Sequence, residues 1–408
     1  MRRHLGSLMG TLGVGAVILS VGAAIPQSSS HGLLYLRTQH GVSVVDSSTG
    51  EATFSARNAL PTSNWSLVVR ARSAAGHSTV VEAVEPGSGE VYASQAFDGS
   101  LDVRAVSSTG SLVALMPHEA RHEGGNGLYR PASRDHTQIV VSRLDGTAAH
   151  TINLAANVEP EAFSTDGTAL FVIRYSPALH PDRYRVTRLD LATGELGDVY
   201  TNEKELQGTM RGIAYTQALA PDGTKLYTFY RKPNGEAFVH VLDLAGQRAN
   251  CVDLPEGFGK DPSAVAITTS ASGDRVVVVD GARRQIVDVD PNLLKIVSSH
   301  RFDGMAPTHH PVSATATANG VFVSTDSSVV ELRRSNLQRV RTWSTKSSVR
   351  SLHLGANGLV LVAERDRVTA IDPRSRGRGW SVEIPGGGIR TVADALAATA
   401  KGSVQCAC

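Results

Sequence analysis

Cysteine, aromatic residues and any surplus of charge are scarce in this 408-residue chain. Its three cysteines, Cys251, Cys406 and Cys408, are too few for a disulfide framework, and no Cys-x-x-Cys pair offers half of a zinc site. Their odd number leaves at least one thiol free or paired between chains. Lysine plus arginine reaches 40 against 38 acids, so the basic excess of a nucleic-acid binder is missing and no nucleic-acid partner is expected. Aromatics make up 5%, yet 41% of residues are hydrophobic, which suffices for a large core and excludes a disordered chain. A Gly-x-Ser-x-Gly elbow, a P-loop and a dinucleotide fingerprint are all lacking, so no cofactor is expected. Past Leu33 there is no long stretch of 3.6-residue periodicity, which argues against sizeable helices.

What is present begins with an address. Arg2 and Arg3 precede an uncharged, apolar stretch from Leu5 to Ile25, followed by the polar run Gln27 to Ser30. Small residues at Val21-Gly22-Ala23-Ala24 complete the pattern of a secretory signal peptide. The stretch is also about long enough to remain as an N-terminal membrane anchor. Both readings of residues 1–30 place the remainder outside the cytoplasm, secreted or associated with the cell envelope. No cysteine near the cleavage region supports lipidation, and no second hydrophobic segment approaches membrane length.

The rest is one pattern, repeated. Short alternating runs are broken by turn residues every ten or so positions, the signature of strands. Ser164-Thr165-Asp166-Gly167, Ala220-Pro221-Asp222-Gly223, Ala271-Ser272-Gly273-Asp274, Ala318-Asn319-Gly320 and Ala356-Asn357-Gly358 each lead into an apolar strand. Their glycines lie 56, 50, 47 and 38 residues apart, and each is expected to supply the positive φ of a hairpin turn. A second turn follows one strand later, at Asp190 to Gly194, Asp243 to Gly246, Asp290-Pro291-Asn292 and Asp372-Pro373, and once early at Asp46 to Gly50. Four strands in about 40 to 50 residues is the period of a β-propeller blade.

These turns, above all Ala-Pro-Asp-Gly-x-x-Leu-Tyr and Asp-Leu-x-Thr-Gly, resemble those of the TolB-like, YVTN-like and WD-repeat-like propellers of exported bacterial proteins. The resemblance covers most of the chain after residue 33 and implies an all-β fold. The expected architecture is a single closed β-propeller of four-stranded blades over residues 31–400, with residues 401–408 as a tail. Blade starts near 65, 161, 211, 263, 310, 350 and 390, with two units between 65 and 160, count to eight, against the commoner seven. The segment Leu33 to Leu60 lacks an inner strand, and the segment near Arg390 to Leu396 has no room for a blade of its own. The two are therefore expected to share the closing blade.

Candidate chemistry is thin. His118-Glu119-Ala120-Arg121-His122 is a formal HExxH, but Pro117 before it and Gly124-Gly125 after it leave no helix to align two zinc ligands, so an exposed loop is expected and no metal. Adjacent His309 and His310 lie in a loop leading into a blade. Arg211, Arg350 and Arg390 share one phase, just before an inner strand, which would bring three guanidinium forks to the mouth of the channel. There they would bind carboxylate or phosphate, with His310 and Glu161 nearby; the opposing reading pairs each with a local acid such as Glu161 or Glu364. The expected function is that of a binding or scaffolding module for an anionic small molecule or a protein partner at this face. The alternative is a propeller enzyme, a lactonase-like hydrolase or a lyase, with a loop-borne site.

Overall fold

Strand residues here follow two patterns, and the difference shows where each strand lies. Val276–Asp280 is buried at every position, whereas Lys295–Arg301 in the same sheet alternates and is largely exposed. A strand in the middle of a blade is covered on both faces by neighbouring blades and reads as a continuous apolar run, while the outermost strand meets solvent.

The computed structural model describes residues 32–119, 132–145, 147, 149–201, 210–303, 305–355, 357–375 and 377–394. Its strands form eight antiparallel four-stranded sheets, the blades of one propeller. The innermost strands of blades 2 to 8 are Ala59–Pro61, Leu101–Val106, Asn157–Phe163, Ile213–Leu219, Val265–Thr269, Ala314–Ala316 and Ser351–Leu354. Blade 1 takes Leu33–Thr38, Gly41–Asp46 and Ala52–Ala56 from the start of the fold and its innermost strand, Ile389–Asp394, from the other end. Leu34 pairs with Asp394 and Leu36 with Val392, closing the ring. Helix among the described residues is confined to the short 3-10 turn Pro262–Ala264.

Eight therefore replaces the commoner seven, and the terminal strands share a blade as the repeat count implied. Two boundaries move. Blade 2 begins at Ala59 rather than near 65, so Leu60 belongs to it and not to blade 1, and blade 4 begins at Asn157. Residues 1–30, expected to be a signal peptide or anchor, lie outside the described residues, as do the end of the expected clasp at 395–396, His122, Cys406, Cys408 and the expected tail.

The turns behave as their residues dictate. Gly167, Gly223, Gly273 and Gly358 adopt φ of 68°, 71°, 73° and 80°. Gly320 does not take a positive φ: it opens its strand, and its N–H donates to Thr317 Oγ1 at 2.9 Å. In the second turn the aspartate carboxylate accepts backbone N–H groups directly, as Asp190 does from Ala192 and Thr193 at 3.0 and 3.1 Å.

One apolar cluster fills each of the eight junctions between blades. Each innermost strand also has an edge with no strand partner, whose N–H groups need acceptors. Hydroxyls from the preceding blade supply several: Thr79 Oγ1 accepts from Leu101 at 2.9 Å, Thr137 Oγ1 from Val158 at 3.1 Å, Ser313 Oγ from Leu352 at 2.9 Å and Ser351 Oγ from Val392 at 3.1 Å.

Candidate functional site

In an antiparallel four-stranded blade, the loops between blades and the middle hairpin loops share one face of the ring. The Asp-Gly and Asp-x-x-Gly turns occupy the other. All candidate cations except those on strands therefore gather on the loop face.

Arg350 and Arg390 stand on neighbouring blades. Arg350 immediately precedes the innermost strand of blade 8, and Arg390 is the second residue of the closing strand of blade 1. The bond between Ser351 Oγ and Val392 N holds those strands side by side. Both arginines are exposed, and neither makes an ion pair among the described residues. Arg390 is the extra residue of a β-bulge: Arg37 pairs with Thr391 and Thr38 with Ile389, which leaves Arg390 unopposed. Bulges re-aim side chains and recur beside binding sites. The same register sets exposed Arg37 beside it, a cation that sequence reasoning missed because its strand lies at the opposite end of the chain.

Arg211 is elsewhere. It precedes the innermost strand of blade 5, across the eight-membered ring from blade 1, and its Nη2 lies 3.8 Å from Asp182 Oδ2 with both side chains exposed. Equal phase in sequence places it at the same height but not at the same place on the circumference.

Glu161 is also a bulged residue, on the innermost strand of blade 4. Gln217 Nε2 on blade 5 donates to its Oε1 at 3.4 Å, while Oε2 is shielded from solvent without a hydrogen-bond partner. Burial pushes its carboxyl up to about 7. No arginine pairs with it among the described residues, whereas Glu364 accepts from Ser347 N at 2.7 Å and sits 3.8 Å from Arg367. Of the two adjacent histidines, His309 is the anchored one: its Nδ1 is 2.8 Å from Asp261 Oδ2, while exposed His310 donates only its backbone N–H, to Thr308 Oγ1.

The HExxH residues that are described point apart chemically. Glu119 Oε2 accepts from Arg134 Nη1 at 2.6 Å, and Arg134 also holds Glu159 Oε1 at 2.5 Å and the Val158 carbonyl at 2.7 Å. A carboxylate so engaged is an ion-pair partner rather than a free base. His118 instead faces Asp102, with Nδ1 3.1 Å from each carboxylate oxygen. The pair borders a cleft of 480 Å³ where blades 1, 2 and 3 meet, also lined by Arg57, Asn58, Arg70 and Arg72. Glu82 holds two of those arginines: its Oε2 accepts from Arg70 Nε at 2.7 Å and from Arg72 Nε at 2.9 Å, and its Oε1 from Arg72 Nη2. Those bonds, Arg72 first, hold the Glu82 carboxyl down at about 2. The alternating Arg70-x-Arg72 spacing was the available signal, since it puts both on one face of a strand.

No protein-family model matches this chain. Among solved structures, the dihydro-heme d1 dehydrogenase NirN in complex with DHE is similar, with 14% identity and a TM-score of 0.51 over 88% of this chain and 74% of that one. Apo AztD from Citrobacter koseri gives 12% identity and a TM-score of 0.54 over 89% and 97%. The periplasmic gluconolactonase PpgL of Pseudomonas aeruginosa gives 18% identity and a TM-score of 0.42 over 89% and 98%. The likeness to NirN and AztD is one of fold alone, and it does not reach a TolB-like, YVTN-like or WD-repeat-like type.

Proposed function

We propose that this protein is an exported propeller that binds an anionic small molecule on its loop face, at the mouth of the channel. The observation that carries the reading is the placement of Arg350 and Arg390: two exposed guanidinium groups at the starts of neighbouring innermost strands, with no ion-pair partner among the described residues and Arg37 in register beside Arg390. Cations held close together repel, and an anion offsets that repulsion while accepting forked hydrogen bonds. Arg211 and His310, on blades 5 and 7 of the same face, add long-range attraction rather than contact. Export rests on the charge and hydrophobicity pattern of residues 1–30.

The test is a thermal-shift panel of polyvalent carboxylates and phosphates. At least one is expected to raise the melting temperature of the wild type, with a shift that shrinks as salt is added. The double variant Arg350→Ala/Arg390→Ala is expected to lose the shift and to melt no lower than the wild type without ligand. An unchanged melting temperature across the panel would remove the reading.

A further inference from the structure

The cleft where blades 1, 2 and 3 meet has its own residues and its own chemistry. Asp102, on the innermost strand of blade 3, is largely buried, with 15% of its side chain exposed. Asn58 Nδ2 donates to its Oδ1 at 3.0 Å, and Asn58 is itself fixed, donating to the Leu101 carbonyl at 3.3 Å and accepting from Val103 N at 3.2 Å. Asn58 keeps this position at a φ of 45°, a left-handed conformation that asparagine tolerates better than most residues. The carboxylate is thereby aimed at His118 Nδ1. A histidine so held donates through Nδ1 and presents Nε2 outward, and its side chain is 62% exposed along the cleft.

The charges around His118 come from three blades. Asp102 and, 3.7 Å from it, Arg104 Nη2 are on blade 3; Arg70, Arg72 and Glu82 are on blade 2; Arg57 is on the connection from blade 1. Glu119, next in sequence, is engaged by Arg134. Glu82 offsets one arginine and Asp102 a second, which leaves an excess of positive charge on the walls before His118 is counted. Arg57 is exposed and makes no ion pair among the described residues. With the cleft empty, the arginines oppose an imidazolium while Asp102 favours it. An arriving anion removes the opposition and leaves Asp102's attraction in force, so binding and protonation assist each other.

We propose that this cleft is a second anion site, for a small organic or inorganic oxyanion, and that it fills with uptake of a proton by His118. The anion's oxygens take the free donors of Arg57 and Arg72 and the N–H of protonated Nε2. Asp102 and Asn58 act as positioning residues that set the tautomer and hold the ring. The inference is independent of the channel-mouth reading.

Sulfate is the suitable probe, because its own charge is constant over the range in which a histidine titrates. Calorimetric titration uses the full chain carrying Arg350→Ala/Arg390→Ala, so that the channel mouth does not contribute. Sulfate is expected to bind about tenfold more tightly at about pH 5.5 than at about pH 8, with uptake that peaks at about half a proton per ion between those values, read across buffers of different ionisation heat. His118→Gln is expected to abolish the proton uptake and the pH ratio while keeping the affinity at about pH 8 within about twofold. Asp102→Asn is expected to reduce both, and Arg57→Ala to weaken binding at either pH. Absence of sulfate binding at both pH values, a pH-independent affinity, or a pH dependence that survives His118→Gln would each overturn the proposal. Binding by the wild type that disappears entirely in the arginine double variant would overturn it too, while supporting the channel-mouth site.

Discussion

Two junctions of the ring do the same architectural work, one with aliphatic side chains and one with buried polar groups among its apolar ones. Between blades 8 and 1 the side chains that fill the contact are apolar, with Leu34, Leu36, Leu361, Val368, Ile384, Ile389 and Val392 all buried, and the bond from Val392 N to Ser351 Oγ carries no titratable group. Between blades 4 and 5 the rings of Tyr184 and Tyr230 stack at 5.0 Å, Tyr230 stacks on Phe238 at 5.3 Å, and His240 meets Tyr230 edge-on at 6.0 Å. His240 is wholly buried, and neither ring nitrogen has a partner among the described residues; Tyr184 Oη and Glu161 Oε2 are likewise buried and unpartnered. Burial resolves the conflict by neutralising the groups, pushing Glu161 up to about 7 and His240 down to about 4. The apolar junction is indifferent to pH, and the polar one makes the stability of the ring depend on it.

The comparison breaks most visibly at the clasp. Truncation before Gly388 removes the innermost strand of blade 1 and uncovers the edge of Leu33–Thr38 together with the apolar junction, so the protein is expected to lose cooperative unfolding or melt far below the full chain. Melting within a few degrees of the full chain would show that Ile389–Asp394 is not the clasp. A gentler blow to the same junction is Ile389→Ala, at a side chain 2% exposed. Its expected cost is about 3 kcal/mol, equal at acid and neutral pH, as read by denaturant unfolding.

The polar junction is expected to answer in the other direction. Glu161 is held above its ordinary 4.5, so the folded state keeps a proton that the unfolded state has released. Its contribution is intact below about 4.5 and is lost as pH rises towards 7. Glu161→Gln is therefore expected to stabilise the protein by about 2 kcal/mol near pH 8 and by nothing in acid, and destabilisation near pH 8 would show that the carboxylate is paired. His240 has the opposite sign. Its neutral ring is matched by the unfolded state above 6.5, and stability falls as pH drops from 6.5 towards 4 because the unfolded state gains a proton first. His240→Leu is expected to recover about 1 kcal/mol near pH 5, measured against the wild type in urea. A variant no more stable in acid would mean that the ring nitrogens find partners.

Much of the fold was legible because a propeller repeats one local problem. Each Asp-Gly or Asx turn is solved within a few residues by a positive φ or a carboxylate accepting two N–H groups, and the 38- to 56-residue spacing of those turns follows. The surplus strand at Ile389–Asp394 could be assigned to blade 1 by counting alone. Gly320 shows the limit, since its motif matches the others while its backbone does not.

The site was less legible. Phase within a repeat fixes a residue's height in the ring and says nothing of which blades are neighbours, so Arg350 and Arg390 fall on adjacent innermost strands while Arg211 lies on a blade across the ring. The HExxH spelling drew attention to His118 for the wrong partner. Its carboxylate, Asp102, lies 16 residues away on a neighbouring strand and is aimed by Asn58, 44 residues further off on another blade. Turn chemistry and strand period are local and are carried by the chain itself. Charge pairing depends on through-space distances of a few ångströms: ring closure brings Arg37 to Arg390, strand pairing within blade 3 brings Asp102 to His118, and the stacking of blades 4 and 5 buries Glu161.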